Sequence, residues 1–128
     1  MRRTRKDCCN ICMILTVALL YVFNNVFLKK CTEGVINDFF TNHFNDLICP
    51  VLLLAYCNII LPQKMQIKQI HCILFFVLLV GLFWEYVTPL YKVNAIADVW
   101  DIVCYLIGGV VYGLILQVVK RKTLYDKN

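Results

Sequence analysis

Between Ile11 and Leu28 the chain runs 18 residues without one charged side chain, and no other feature limits the fold as much. At about 1.5 Å per residue such a helix reaches roughly 27 Å, close to the hydrocarbon thickness of a bilayer. Three more apolar runs follow, at about 47–61, 70–87 and 102–119, with the charged residues gathered between them. The second is short on its own, but a helical lead-in from the preceding loop can lengthen it. A soluble helix would carry a polar face, and these runs show none. Composition agrees: 61% of the residues are hydrophobic and 16% charged, against about 45–50% and about 25% in a soluble domain. So small a soluble core could not hold the excess, so lipid is the expected solvent. The fold class is therefore an all-α membrane protein, a single domain over 1–128 built as a four-transmembrane-helix bundle.

The first run is not expected to be cleaved. It is longer than the apolar region of a signal peptide, and Asn24-Asn25-Val26-Phe27-Leu28-Lys29-Lys30 offers no small-x-small site. Orientation follows from the placement of Lys and Arg. Ten lie at the N-terminus (Arg2, Arg3, Arg5, Lys6), in the 62–69 loop (Lys64, Lys68) and in the tail (Lys120, Arg121, Lys122, Lys127). Lys29, Lys30 and Lys92 lie on the other side. This asymmetry puts both termini in the cytoplasm. The net charge of +5 then belongs to lipid headgroups rather than to nucleic acid, because the basic groups flank spans and form no aromatic-interleaved face.

The eight cysteines do not read as a disulfide scaffold. Cys57, Cys72 and Cys104 sit inside apolar runs, where Cys behaves as a small hydrophobe, and Cys8, Cys9 and Cys12 lie at a reducing edge. Only Cys31 and Cys49 are on the side where a bridge could form.

Six of the eight acids fall on that same outer side: Glu33, Asp38, Asp46, Glu85, Asp98 and Asp101. Asp46, Glu85, Asp98 and Asp101 lie at or near helix ends that all face outward, so they can converge. A carboxylate near a bilayer is costly unless it meets water, a partner or a cation. On the last helix, Asp98, Asp101, Tyr105, Gly108, Gly109 and Tyr112 share a stripe about 100° wide. Asp98 and Asp101 repel at that spacing, and a cation or proton between them would relieve it. Gly109 and Gly113 form a G-x-x-x-G pair that admits a close helix neighbour, in the bundle or from a second copy. Plainer roles exist beside these. Asp46 and Asp101 suit helix N-caps, and Glu85 suits a solvated boundary or a pair with Lys92. His43 and His71 stand isolated in the sequence and receive no role.

The first outer loop carries Ile36, Phe39, Phe40, His43, Phe44 and Leu47 at helical spacing, which predicts a short amphipathic helix in the interface. Trp84, Tyr86, Tyr91 and Trp100 form an aromatic belt at headgroup depth.

Phe83-Trp84-Glu85-Tyr86, then Pro89, then Ala97-Asp98-Val99-Trp100-Asp101-Ile102 and Tyr105-x-x-Gly108 resemble the VanZ-like group of small bacterial membrane proteins. Phe44-Asn45-Asp46-Leu47, with Pro50 behind it, is similar as well. The resemblance covers residues 44–113 and is strongest over 83–109. Typical members carry Asn where this chain has Cys104 or Tyr105, so it resembles a divergent branch. The resemblance implies a bacterial inner-membrane location and singles out Glu85, Asp98 and Asp101. It implies no substrate, since the group has no established activity in general.

Three functions compete. The first is a non-enzymatic membrane protein whose acidic mouth binds a cation or cationic group. The second is an oligomeric ion or metal transporter subunit, although four helices without an internal repeat are few for a transporter. The third is an intramembrane hydrolase with a metal held by carboxylates. No H-E-x-x-H motif or Ser–His pair accompanies the acids, so it ranks last. No cofactor is expected beyond a divalent cation.

Overall fold

The computed structural model describes residues 5–91 and 98–125, with side chains over 7–91 and 98–122. Arg2, Arg3, Lys92 and Lys127, counted above for orientation, lie outside the described residues, and so does the Glu85–Lys92 pairing. The described residues are mostly helical, apart from the 61–69 loop and short breaks, and no strand occurs among them. Four segments are long and apolar enough to cross a membrane: Asp7–Cys31, Gly34–Ile60, Ile70–Leu90 and Val99–Lys122. This is the architecture of a multi-pass membrane protein.

Helix α1 (Arg5–Phe23) passes without a break through a π-helical turn, Asn24–Leu28, into the short α2 (Lys29–Cys31). Gly34, at φ +65°, takes the left-handed conformation that side chains disfavour. It turns the chain into α3 (Gly34–Asn42). The turn is held by Asn37 Nδ2, which donates to the Thr32 carbonyl at 2.7 Å. Helix α4 (Phe44–Ile60) follows α3 with only His43 between them, so the lead-in anticipated for the short second run is present. Helix α5 (Ile70–Leu82) ends in a second π-helical turn, Phe83–Val87, and a 3-10 turn, Thr88–Leu90. Helix α6 (Val99–Tyr125) is the longest. All four crossing helices outrun the apolar limits read from sequence. Bilayer thickness limits the apolar stretch, but backbone hydrogen bonding continues into the polar flanks.

The helices pack as a bent row: α1 on α4, α4 on α6, α6 on α5, with α1 touching α6 lightly. The inner pair is accordingly the more buried. The apolar windows of α6 and α4 are 39% and 33% buried, those of α1 and α5 only 17% each. Large apolar side chains are exposed on every one of these helices, including Leu19, Ile60, Phe75 and Leu114. Water would not tolerate that surface, whereas lipid suits it.

Small residues set the helix spacing. A Cβ on Gly108 would overlap the Leu47 carbonyl oxygen and press on Pro50, so α4 and α6 cross in close contact there. Pro50 is fully buried at this crossing. On the neighbouring face, Gly109 meets Val77, and Gly113 meets Ile70 and Ile73. The glycine face of α6 is thus filled by α4 and α5 of the same chain. Its exposed face, with Val103, Ile107, Val110 and Leu114, is apolar and free of glycine.

Candidate functional site

The α6 stripe points inward as its spacing suggests. Tyr105, Gly108, Gly109, Tyr112 and Gly113 are buried, while Asp98 and Asp101 are half-buried at its head. The end of α5 is tied to the start of α6 by Glu85, whose Oε2 accepts the Asp98 backbone N–H at 2.8 Å. Glu85 sits in the π-helical turn at the end of α5. Such a turn inserts one extra residue and re-aims the side chains beyond it. The other π-helical turn, at the end of α1, places Asn24 beside α3 and α4 at this same end of the molecule. Asn24 Nδ2 donates to the Phe40 carbonyl at 2.9 Å and to Asn45 Oδ1 at 3.2 Å. Both irregular turns therefore shape the acidic end.

Asp46, Glu85, Asp98, Asp101 and Tyr105 do converge. Tyr105 donates its hydroxyl to Asp46 Oδ1 at 3.2 Å, and the charges of Asp101, Glu85 and His43 all reach Asp46. The capping roles need correction. Helix α4 has no side-chain cap, and Asp46 is turned toward Tyr105 instead. At the start of α6 the capping bond is made by Asp98, whose Oδ1 accepts the Trp100 N–H at 2.9 Å. Asp101, one turn later, is left to reach outward across the helix row.

What it reaches is His43, and here the reading of His43 as isolated is overturned. Its Nδ1 lies 2.7 Å from Asp101 Oδ1, an ion pair when the imidazole is charged, with both side chains 20% exposed. One ligand atom each from His43, Asp98 and Asp101 fits within a 4.8 Å span. A single ion could touch all three. The sequence separation of 58 residues hides the pair. The available signal was a histidine on the apolar face of the 36–47 pattern, one turn before Asp46.

The opposite end of the molecule holds a second polar cluster that sequence reasoning missed. Tyr112, Asn58 and Asn10 are at most 2% exposed. The Tyr112 hydroxyl donates to Asn10 Oδ1 at 3.0 Å and accepts from Asn58 Nδ2 at 2.7 Å. Asn58 Nδ2 also donates to the Ile67 carbonyl at 2.8 Å, and Asn58 Oδ1 accepts the Ile67 N–H at 2.6 Å. One asparagine thereby stitches the 62–69 loop onto α4. A cleft of about 520 Å³ opens above this cluster, with His71 on its rim. Asparagine inside a charge-free run was the clue, because apolar surroundings demand a partner for each amide.

An apolar layer divides the two polar ends. Leu54 and Ala55 on α4 and Ile73 and Val77 on α5 are at most 1% exposed. Tyr105 and Tyr112 stand seven residues apart on α6, about 10 Å along the axis. The eight cysteines are all free, Cys31 and Cys49 included.

No family model, curated protein or solved structure matches this chain.

Proposed function

We propose that the protein is a VanZ-like integral membrane protein of a bacterial inner membrane whose outward acidic mouth binds a divalent cation. The observation that carries this reading is the His43–Asp98–Asp101 cluster, with its ligand atoms inside 4.8 Å. An imidazole nitrogen with two carboxylates suits divalent transition-metal ions such as Zn²⁺, Mn²⁺ or Ni²⁺ better than a cationic organic group, which would not use the imidazole as a ligand. Asp46 and Glu85 add negative charge around it. The Lys and Arg asymmetry supports placing this end outside and both termini in the cytoplasm. The helix α3, with Val35, Ile36 and Phe39 exposed, then lies in the outer interface and delivers His43 to the site.

Two other readings are weaker for physical reasons. The apolar layer between the two ends offers no polar stepping stone, which weighs against an ion conduit within one copy. Any assembly of several copies through α6 would use its exposed face, since the glycines are already covered. A hydrolase is favoured by one point only: three protein ligands would leave coordination positions open for water.

The test is a thermal melt of metal-stripped protein in detergent, titrated with Zn²⁺, Mn²⁺ and Ni²⁺. A bound ion should stabilise the fold by about 2.7 kcal/mol at a hundredfold excess over Kd. His43→Ala and Asp101→Asn should each abolish that gain. A midpoint that no metal moves, or that moves equally in both variants, refutes the proposal.

A further inference from the structure

We propose that the cleft at the opposite end is a second binding site, one that takes a phosphate-bearing anion. The cleft, about 520 Å³, is in the range of small-ligand sites. Its floor is Asn10, Asn58 and Tyr112, locked to one another by hydrogen bonds and almost wholly buried. Its rim carries Lys68, Gln69 and Lys120. None of the described residues that line it is acidic.

The donors point to the ligand's charge. Asn10 and Gln69 have their carbonyl ends engaged, by the Tyr112 hydroxyl and the Cys72 thiol. Each is left its amide nitrogen to offer, a donor. Lys120, at the end of α6, and Lys68, in the 62–69 loop, whose Nζ also donates to the Gln63 carbonyl at 3.1 Å, bring positive charge to the rim from separate elements. Lysine acts as a point charge toward phosphate, and charge-assisted bonds of this kind are the strong ones. A tetrahedral, multiply charged oxyanion satisfies separated donors better than a planar carboxylate can. The cleft also lies at the end of the apolar part of α6, where Leu116 lines it. A lipid phosphate would sit at that depth, although a free phosphorylated solute carries the same chemistry.

The experiment follows melting of the full chain in neutral detergent with three additions: dihexanoyl phosphatidic acid, inorganic phosphate, and chloride at matched ionic strength. At least one phosphate source should raise the midpoint above chloride. Lys120→Gln combined with Gln69→Ala should weaken its binding about tenfold or more, the equivalent of one charge-assisted hydrogen bond. Arg121→Gln, an exposed cation beside the cleft but not lining it, should change binding less than about twofold, as expected of a screened surface charge. A rise with the lipid alone assigns the site to headgroups, and an equal rise with inorganic phosphate assigns it to the phosphate group itself. No rise above chloride overturns the proposal. So does an Arg121→Gln loss as large as that of the double variant, since general attraction to a basic end would then explain the binding. All the residues substituted in this test are exposed, so the variants should fold.

Discussion

The two ends of this molecule are both polar, and they solve the problem of polarity in lipid in opposite ways. At the acidic end the groups are ionisable, half-exposed and held by neighbours of differing kind: a backbone N–H for Glu85, an imidazole for Asp101, a phenol for Asp46. At the other end they are neutral amides and a phenol, almost completely buried and bonded mainly to one another. Charge can be kept near a bilayer only where water or a counter-ion reaches it, so the acids stay at the mouth. Amides can be buried whole once their bonds are complete. The first end is therefore suited to exchange a ligand. The second is suited to hold four chain segments together and to present a fixed floor.

The largest effect should come from the crossing on which both ends depend. Gly108→Ala places a methyl against the Leu47 carbonyl, a backbone atom that cannot swing aside. We expect a loss of about 3 kcal/mol, the upper range for overpacking, read as a lower midpoint in denaturant or thermal unfolding in micelles. Gly113→Ala is the control. Its neighbour is the flexible tip of Ile70, and it should cost about 1 kcal/mol or less. Equal effects at the two positions would mean that α4 and α6 do not cross as closely as described.

Next come the two phenols. Tyr112→Phe leaves Asn10 Oδ1 and one Asn58 N–H without their partner where both side chains are almost wholly buried. That should cost about 2 kcal/mol. Tyr105→Phe deprives Asp46 of a donor where other polar groups are close, and about 1 kcal/mol is expected. A reversed order would break the contrast between a buried polar cluster and a half-exposed one. The smallest effect belongs to Glu85→Gln. The amide oxygen can still accept from Asp98 N–H, so about 0.5–1 kcal/mol should be lost. Its clearer sign would be faster hydrogen exchange over residues 98–101, where that bond pins the start of α6.

Much of the fold was legible because lipid imposes a simple rule on sequence. Ile11–Leu28 and 102–119 announce themselves by the absence of charge, and the four long helices contain the apolar runs except for Leu61, where α4 has already ended. The inward stripe on α6 was also legible, since periodicity alone places Tyr105, Gly108, Gly109 and Tyr112 on one side. The site was half legible. Asp46, Glu85, Asp98 and Asp101 stand out as acids at helix ends, but His43 looked like part of an amphipathic face. At the start of α6, Asp101 suited a cap by its chemistry no better than Asp98 does. Only the start of α6 at Val99 decides which one bonds the Trp100 N–H. The amide cluster was missed because Asn10, Asn58 and Tyr112 are far apart in sequence and unremarkable singly.

By itself, then, the sequence determined that there would be four long apolar helices, which stretches of chain would form their apolar parts, and that the acids at the helix ends could share one end. Those properties are local or follow from alternating direction. The tertiary structure decided the order α1, α4, α6, α5, and with it which helices would be central. It also decided that His43 would meet Asp101 and that Asn58 would tie Ile67 and Tyr112. Hydropathy cannot make those choices, since one apolar helix is as soluble in lipid as another. The partners are picked by where a glycine lets two backbones touch and where a buried amide finds its bond.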